Sequence, residues 1–213
     1  MKRLVHLSLA EFTESVASQA PAPGGGSVAA LAGAQAAALL AMVCRLTIGK
    51  KKYAAVEAEV LAALPKIDDL HNELLRLVDA DAAAYDTYAA AVALPKESSA
   101  QQEVRRAAIQ NAARTAAEAP LRTLAACHAV AEAIHRLYSI VNRNCLSDSG
   151  TAMQLALAGA GGAAMNVLIN LPQIDDPSFR QQRKEKVDSL LNETRQWSAE
   201  VTAVIFKDLT TGS

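Results

Sequence analysis

Apolar positions along this chain recur at helical rather than strand spacing, and runs of alternating character are hard to find. Ser8 followed by Glu11 has the form of a capping box opening a first helix that reaches about Ala20 and stops at Pro21. After three glycines, the stretch from about Val28 to Leu46 carries no charge before Arg45, so it reads as a helix buried nearly all round. Tyr53 to Leu64 is helical in pattern. Pro65 is expected to break or kink it before a second run, Ile67 to Leu94, with Ile67, Leu70, Leu74, Leu77 and Val78 on one face. Ser98 or Ser99 caps the next helix, which bends at Pro120 and resumes from Leu121 to Val141. The polar run from Asn142 to Asp148 reads as a loop, with Ser147 or Asp148 capping a second uncharged helix, Thr151 to Leu171. Gly159 and Gly162 inside that helix predict close approach of another backbone. Asp176-Pro177 opens a last amphipathic helix through Val187, Leu190, Leu191, Trp197, Val201 and Ile205.

The pattern predicts an all-α protein, residues 1–213 as one helical domain, a bundle of about six to eight helices around two buried uncharged ones. Composition strengthens this. Of the 213 residues 51% are hydrophobic, mostly Ala and Leu, and only 4% are aromatic, which favours helices packed closely through small side chains. A net charge of −1 lacks the basic excess of a nucleic-acid or membrane-surface binder, so a small molecule or a protein is the expected partner. The uncharged stretches Ser15–Cys44 and Ser149–Ile174 are long enough to raise a membrane span. Pro21, Pro23 and the glycines interrupt the first, and Gln154, Asn166 and Asn170 the second, so both are read as central helices of a bundle or a dimer core. Three cysteines without a CxxC pair, and no targeting segment ahead of Leu4, point to a reducing cytoplasm.

Candidate chemistry gathers around the first buried helix. At its front Gly24, Gly25 and Gly26 are free to take positive φ, and Ser27 sits where an N-cap belongs, which together suit an anion or dipole site. At its far end come Lys50, Lys51 and Lys52. Taken alone, the glycines equally read as a tight turn and the lysines as a solvated face. The glycine loop lacks the GK[ST] ending of a phosphate loop and the strand and spacing of a dinucleotide fingerprint, and no nucleophile elbow is present. Glu132 with His135, and Asp68 and Asp69 with His71, imitate halves of a di-metal site, but two further carboxylates are missing, so no metal is expected. His6 and His128 read as capping, surface or core histidines. There remain polar residues in apolar surroundings: Asp79, Asp81 and Asp86 near Tyr85; Asn142, Asn144 and Asp148; Asn166 and Asn170, four apart on one face.

Six segments carry a resemblance: PAPGGGSVAALAG (Pro21–Gly33), LTIGKKKY (Leu46–Tyr53), DADAAAY (Asp79–Tyr85), EAPL (Glu118–Leu121), NRNCLSDSG (Asn142–Gly150) and NVLINL (Asn166–Leu171). In these the chain resembles, over nearly its full length, the cyclodeaminase domain of formiminotransferase-cyclodeaminases and its stand-alone bacterial relatives, some described as methenyltetrahydrofolate cyclohydrolases. Arg143 and Cys145 depart from the family pattern before Asp148. The resemblance implies an all-helical homodimer binding a tetrahydrofolate derivative near the subunit interface, with no cofactor beyond that substrate.

The expected reaction is cyclodeamination of 5-formimidoyltetrahydrofolate to 5,10-methenyltetrahydrofolate and ammonia. Hydrolysis of methenyltetrahydrofolate is the second reading, and a folate-binding or dimerisation module without catalysis the third. The chemistry needs a carboxylate beside a cationic amidine and a proton donor for the leaving nitrogen. Asp81 and Asp148 are the expected carboxylates, with Lys51 paired to them. Gly24, Gly25, Gly26 and Ser27 would hold the pterin or the p-aminobenzoate by backbone, Asn166 and Asn170 supply directed hydrogen bonds, Asn144 is a further substrate-binding residue, and Lys50 and Lys52 meet the glutamate tail.

Overall fold

The computed structural model describes residues 3–211. Among them are six α-helices and no strand: α1 (Leu9–Ala17), α2 (Gly25–Thr47), α3 (Glu57–Val92), α4 (Ser99–Leu137), α5 (Leu146–Asn170) and α6 (Pro177–Thr211). Short 3-10 turns cover Leu4–His6, Lys51–Tyr53, Arg143–Cys145 and Leu171–Gln173. Helices α2 to α5 form an antiparallel four-helix bundle in which α2 and α4 stand diagonally and each packs on α3 and α5. Helix α6 lies in the groove between α4 and α5.

Polar pairs fix the register. Arg45 grips Asp68 between α2 and α3, Arg122 reaches Glu73 between α3 and α4, and Gln154 bonds Thr202 between α5 and α6. These exposed ion pairs are each worth at most about 1 kcal/mol; the alanine-rich interior does most of the holding. Small side chains let the axes come close. A Cβ on Gly159 would lie 2.8 Å from the Ala29 carbonyl oxygen and 2.8 Å from the Cys127 sulfur, so α2, α4 and α5 meet where no side chain fits.

The Ser8/Glu11 capping box is present, although α1 ends at Ala17, three residues short of expectation. Ser98 caps α4 with Gln101 as its reciprocal partner, and Asp176 accepts a hydrogen bond from the Phe179 amide at the start of α6. Neither proline ends its helix. Pro65 sits on the exposed side of α3, where the carbonyl it frees is left to water, while Val60 and Ile67 pin the turns on either side. Pro120 is buried within an uninterrupted α4. Helix α2 starts at Gly25, with Gly24 rather than Ser27 as its cap, and α5 starts at Leu146, which puts Ser147 and Asp148 inside its first turn instead of before it. The two uncharged helices are long and apolar enough to cross a membrane; in the fold they are the innermost pair, and 61% of the α2 window is buried.

Candidate active site

At one end of the bundle, the loop before α2 and the facing turns of α3 and α5 enclose a cleft of about 360 Å³. Gly24, Gly25 and Gly26 form its lip, Asp81, Tyr85 and Tyr88 one wall, and Asn166, Ile169, Asn170 and Gln173 the other. Gly26, and less strictly Gly25, is required by space rather than by torsion. None of the three has positive φ; among the described residues only Gly49 does, at 75°. A Cβ on Gly26 would fall 2.0 Å from Asp81 Oδ1, and one on Gly25 would lie 3.2 Å from Asn166 Nδ2. The absent side chains therefore let a carboxylate lie on the first turn of α2.

Among the described residues Asp81 is the only charged one lining the cleft. Burial pushes its carboxyl above the ordinary aspartate value, and hydrogen bonds from the Ser27 side chain and backbone pull partly back. The helix N-terminus beneath it favours the charged form. Ser27 is fully buried and directs its hydroxyl to Val78 O at 2.9 Å and Asp81 Oδ2 at 3.2 Å, so it serves the aspartate rather than capping α2. Asn166 Nδ2 donates to Gly162 O, and Asn170 Nδ2 donates to Ala116 O and Asn166 O. Asn170 has both N–H groups on carbonyls and offers a ligand its Oδ1, whereas Asn166 has a second N–H as well as its Oδ1.

Tyr85, Tyr88 and Gln173 are cleft residues that sequence reasoning passed over. Tyr85 and Tyr88 follow Asp81 by four and seven positions, the spacing of one helix face, so that signal was available. Tyr88 donates to Gln173 Oε1 at 3.3 Å and closes the far end. Gln173 reaches the cleft only because the chain turns after α5, which no local pattern announces.

The remaining expected residues lie elsewhere. Lys50, Lys51 and Lys52 follow the C-terminus of α2, and a helix of 23 residues is about 34 Å long. Within the chain Lys51 therefore does not meet Asp81, and the carboxylates and lysine expected in one site fall in two clusters. The second cluster joins the lysine turn to the start of α5. Buried Asn142 organises it, donating from Nδ2 to Leu46 O and from its amide to Thr47 Oγ1, while the Tyr53 hydroxyl accepts from the Arg143 amide. Asp148 and Lys50 both act on the Cys145 thiol, raising and lowering its pKa respectively, though burial is the larger influence and raises it. Asn144 is exposed at this end, remote from Asn166 and Asn170.

The di-metal candidates are likewise separated. His135 pairs with Glu200 at 2.9 Å and stacks on Trp197, His128 packs against the same tryptophan, and Asp68 is held by Arg45. Among the described residues no three His, Cys, Asp or Glu side chains converge as metal ligands.

Residues 8–189 match the model of the formiminotransferase-cyclodeaminase family. The chain belongs to that family. A methenyltetrahydrofolate cyclohydrolase from Methylorubrum extorquens is 40% identical over 182 residues, covering 85% of this chain and 88% of the relative. The formimidoyltransferase-cyclodeaminase of Sus scrofa is 35% identical over 196 residues, and there the chain spans 36% of the relative's length. Among solved structures, the formiminotetrahydrofolate cyclodeaminase of Thermotoga maritima superposes with a TM-score of 0.85 at 30% identity, covering 96% of this chain and 98% of that one. Family membership makes the chain a folate one-carbon enzyme of the cyclodeaminase and cyclohydrolase type.

Proposed function

We propose that the protein hydrolyses 5,10-methenyltetrahydrofolate to 10-formyltetrahydrofolate, with Asp81 as the base. This reverses the order of the two reactions expected from sequence, and one observation carries it. Among the described residues the cleft is lined by a single carboxylate and by no lysine, arginine or histidine. Such a site attracts a cationic amidinium, and its one carboxylate can both take a proton from water and return it to the leaving N5. The identity to the Methylorubrum extorquens cyclohydrolase over most of both chains supports the same choice.

In this reading the amidinium lies beside Asp81 and the flat ring system against Tyr85 and Tyr88, with Asn166 and Asn170 accepting from its N–H groups. Water adds to the amidinium carbon as Asp81 accepts one of its protons. The bond from that carbon to N5 then breaks while Asp81 returns the proton to N5. The hydroxyl proton of the adduct leaves to solvent, and the new carbonyl remains on N10. Burial raises the pKa of Asp81, which strengthens it as a base, and the arriving cation favours its charged form.

The lysine turn takes a different part. On the outer face of α2, Val28, Ala32, Gln35, Leu39, Met42 and Leu46 form an uncharged stripe at alternating spacings of four and three. On α5 beside it, Met165 and Ile169 are 66% and 73% exposed. A contiguous apolar face of this kind suits a second copy of the chain. Antiparallel pairing of the two α2 stripes brings the lysine turn of one copy to the cleft of the other. The substrate is cationic at the amidinium and anionic at its glutamate tail, and such a paired site matches it end for end. Lys50, Lys51 and Lys52 then bind the tail, and Asp148 steadies the turn.

Absorbance of the methenyl chromophore tests the reaction. Enzyme-accelerated decay from methenyltetrahydrofolate is expected; growth of the band with ammonia release from formimidoyltetrahydrofolate, without accelerated decay, would establish the deaminase instead. Turnover of neither compound would leave a binding module.

A further inference from the structure

The Ser27 hydroxyl has one proton and two acceptors within reach, Val78 O at 2.9 Å and Asp81 Oδ2 at 3.2 Å. A carbonyl only accepts. When the hydroxyl donates to Val78 O, its contact with Asp81 is a hydrogen bond only if the carboxyl carries the proton and donates to Oγ. When Asp81 is ionised, the hydroxyl turns to Oδ2 and leaves Val78 O, which lies within α3 and keeps its helical partner there. Neither orientation strands a buried group, and neither requires Asp81 to move.

Movement is in any case blocked from below, because the carboxylate fills the space a Cβ on Gly26 would need. The groups around Asp81 leave the exchange to Ser27. From α2 come the Gly26 and Ser27 backbone and the Ser27 hydroxyl, from α5 the Asn166 and Asn170 amides, and from α3 the Tyr85 and Tyr88 phenols. Asp79, two residues before Asp81, is engaged with Arg3 Nε and the Leu4 amide.

We propose that Ser27 is a positioning residue whose hydroxyl, by turning between Val78 O and Asp81 Oδ2, holds the carboxylate over α2 in both protonation states and lets it take up and return a proton in place. The idea rests on Asp81 being the base of the proposed reaction, yet its central claim concerns the aspartate's own titration. Removing the hydroxyl deletes a charge-assisted hydrogen bond to the ionised form and a weaker neutral one from the protonated form. Ser27→Ala should therefore make Asp81 bind its proton about tenfold more tightly, and the acid limb of the kcat/KM profile should move to higher pH with it. Ser27→Cys keeps a weak donor and should fall between.

The direct readout is the carboxyl carbon titration of aspartate-labelled protein by NMR, with the Asp81 signal assigned by its loss in Asp81→Asn. A shift in the expected order, wild type, Ser27→Cys, Ser27→Ala, supports the proposal. A titration unchanged in either serine variant overturns it, whatever the turnover. A wild type that turns over neither folate sinks the proposed reaction and leaves this titration to decide the role of Ser27.

Discussion

Gly26 and Asp81 form the smallest unit on which the account depends. A methyl group at position 26 would sit 2.0 Å from Oδ1 and 2.4 Å from Cγ of Asp81, so the carboxylate must leave its place above α2. Displacement of a reacting group by about 1 Å costs on the order of a hundredfold in rate. Gly26→Ala should thus lower kcat by about that factor while folding normally, as kinetics beside a thermal melt would show.

The same carboxylate burdens stability. Its pKa is raised by burial, so the native state binds its proton more tightly than the unfolded chain does. Stability on this account is greatest below the ordinary aspartate range and falls as pH rises through the window up to the raised value. Asp81→Asn removes that cost. Its melting temperature should match or exceed wild type at pH 7 and converge with it near pH 3; a lower melting temperature at pH 7 would contradict the burial argument. From sequence, Asp81, the glycines and the two asparagines were legible as polar or conformationally special residues in apolar surroundings. The torsional reason given for the glycines was not theirs, since none has positive φ and what decides Gly26 is a side chain fifty-five positions later in the chain.

Among elements, α2 and α5 show why their sequences carry small residues. Gly159 lies against Ala29, Gly33 and Cys127, so α2 and α5 can pack at close distance only without a Cβ there. Gly159→Ala gains up to about 1 kcal/mol of helix propensity. It must still displace the Ala29 backbone, and overpacking of this kind costs about 1–3 kcal/mol. A net loss of about 1–2 kcal/mol is expected, visible as a lower urea midpoint with an unchanged slope. Helix existence was legible from the periodicity, and the caps at Ser8, Ser98 and Asp176 from local chemistry. The starts of α2 and α5 were not, because Ser27 and Asp148 have the residue types of caps but lie inside the first turns, Ser27 with its hydroxyl on α3. At Pro65 α3 runs on without a break, since the effect of a proline depends on which side of the helix faces water.

For the whole molecule, the two polar clusters at opposite ends of α2 are the feature sequence could not separate. Motifs shared with a family say which residues occur together, not whether they meet within one chain. If the uncharged faces of α2 and α5 pair two copies, the protein should sediment as a dimer, and Met165→Glu, which plants a charge on that face, should shift it toward monomer. Mixing Asp81→Asn with Lys51→Ala protein should then recover kcat/KM to about a quarter of wild type, because random exchange makes half the dimers mixed and each mixed dimer has one intact site. No recovery in a mixture shown to exchange subunits would place the lysines outside the site.

The reaction itself turns on which cluster does the chemistry, and parallel kinetics of Asp81→Asn and Asp148→Asn on methenyltetrahydrofolate decide it. Loss of a general base costs about 10²–10⁴ in kcat. The expected result is a loss of that size for Asp81→Asn, with kcat for Asp148→Asn within a few-fold of wild type. An active Asp81→Asn beside an inactive Asp148→Asn would move the chemistry to the lysine end of the bundle and contradict the cleft assignment.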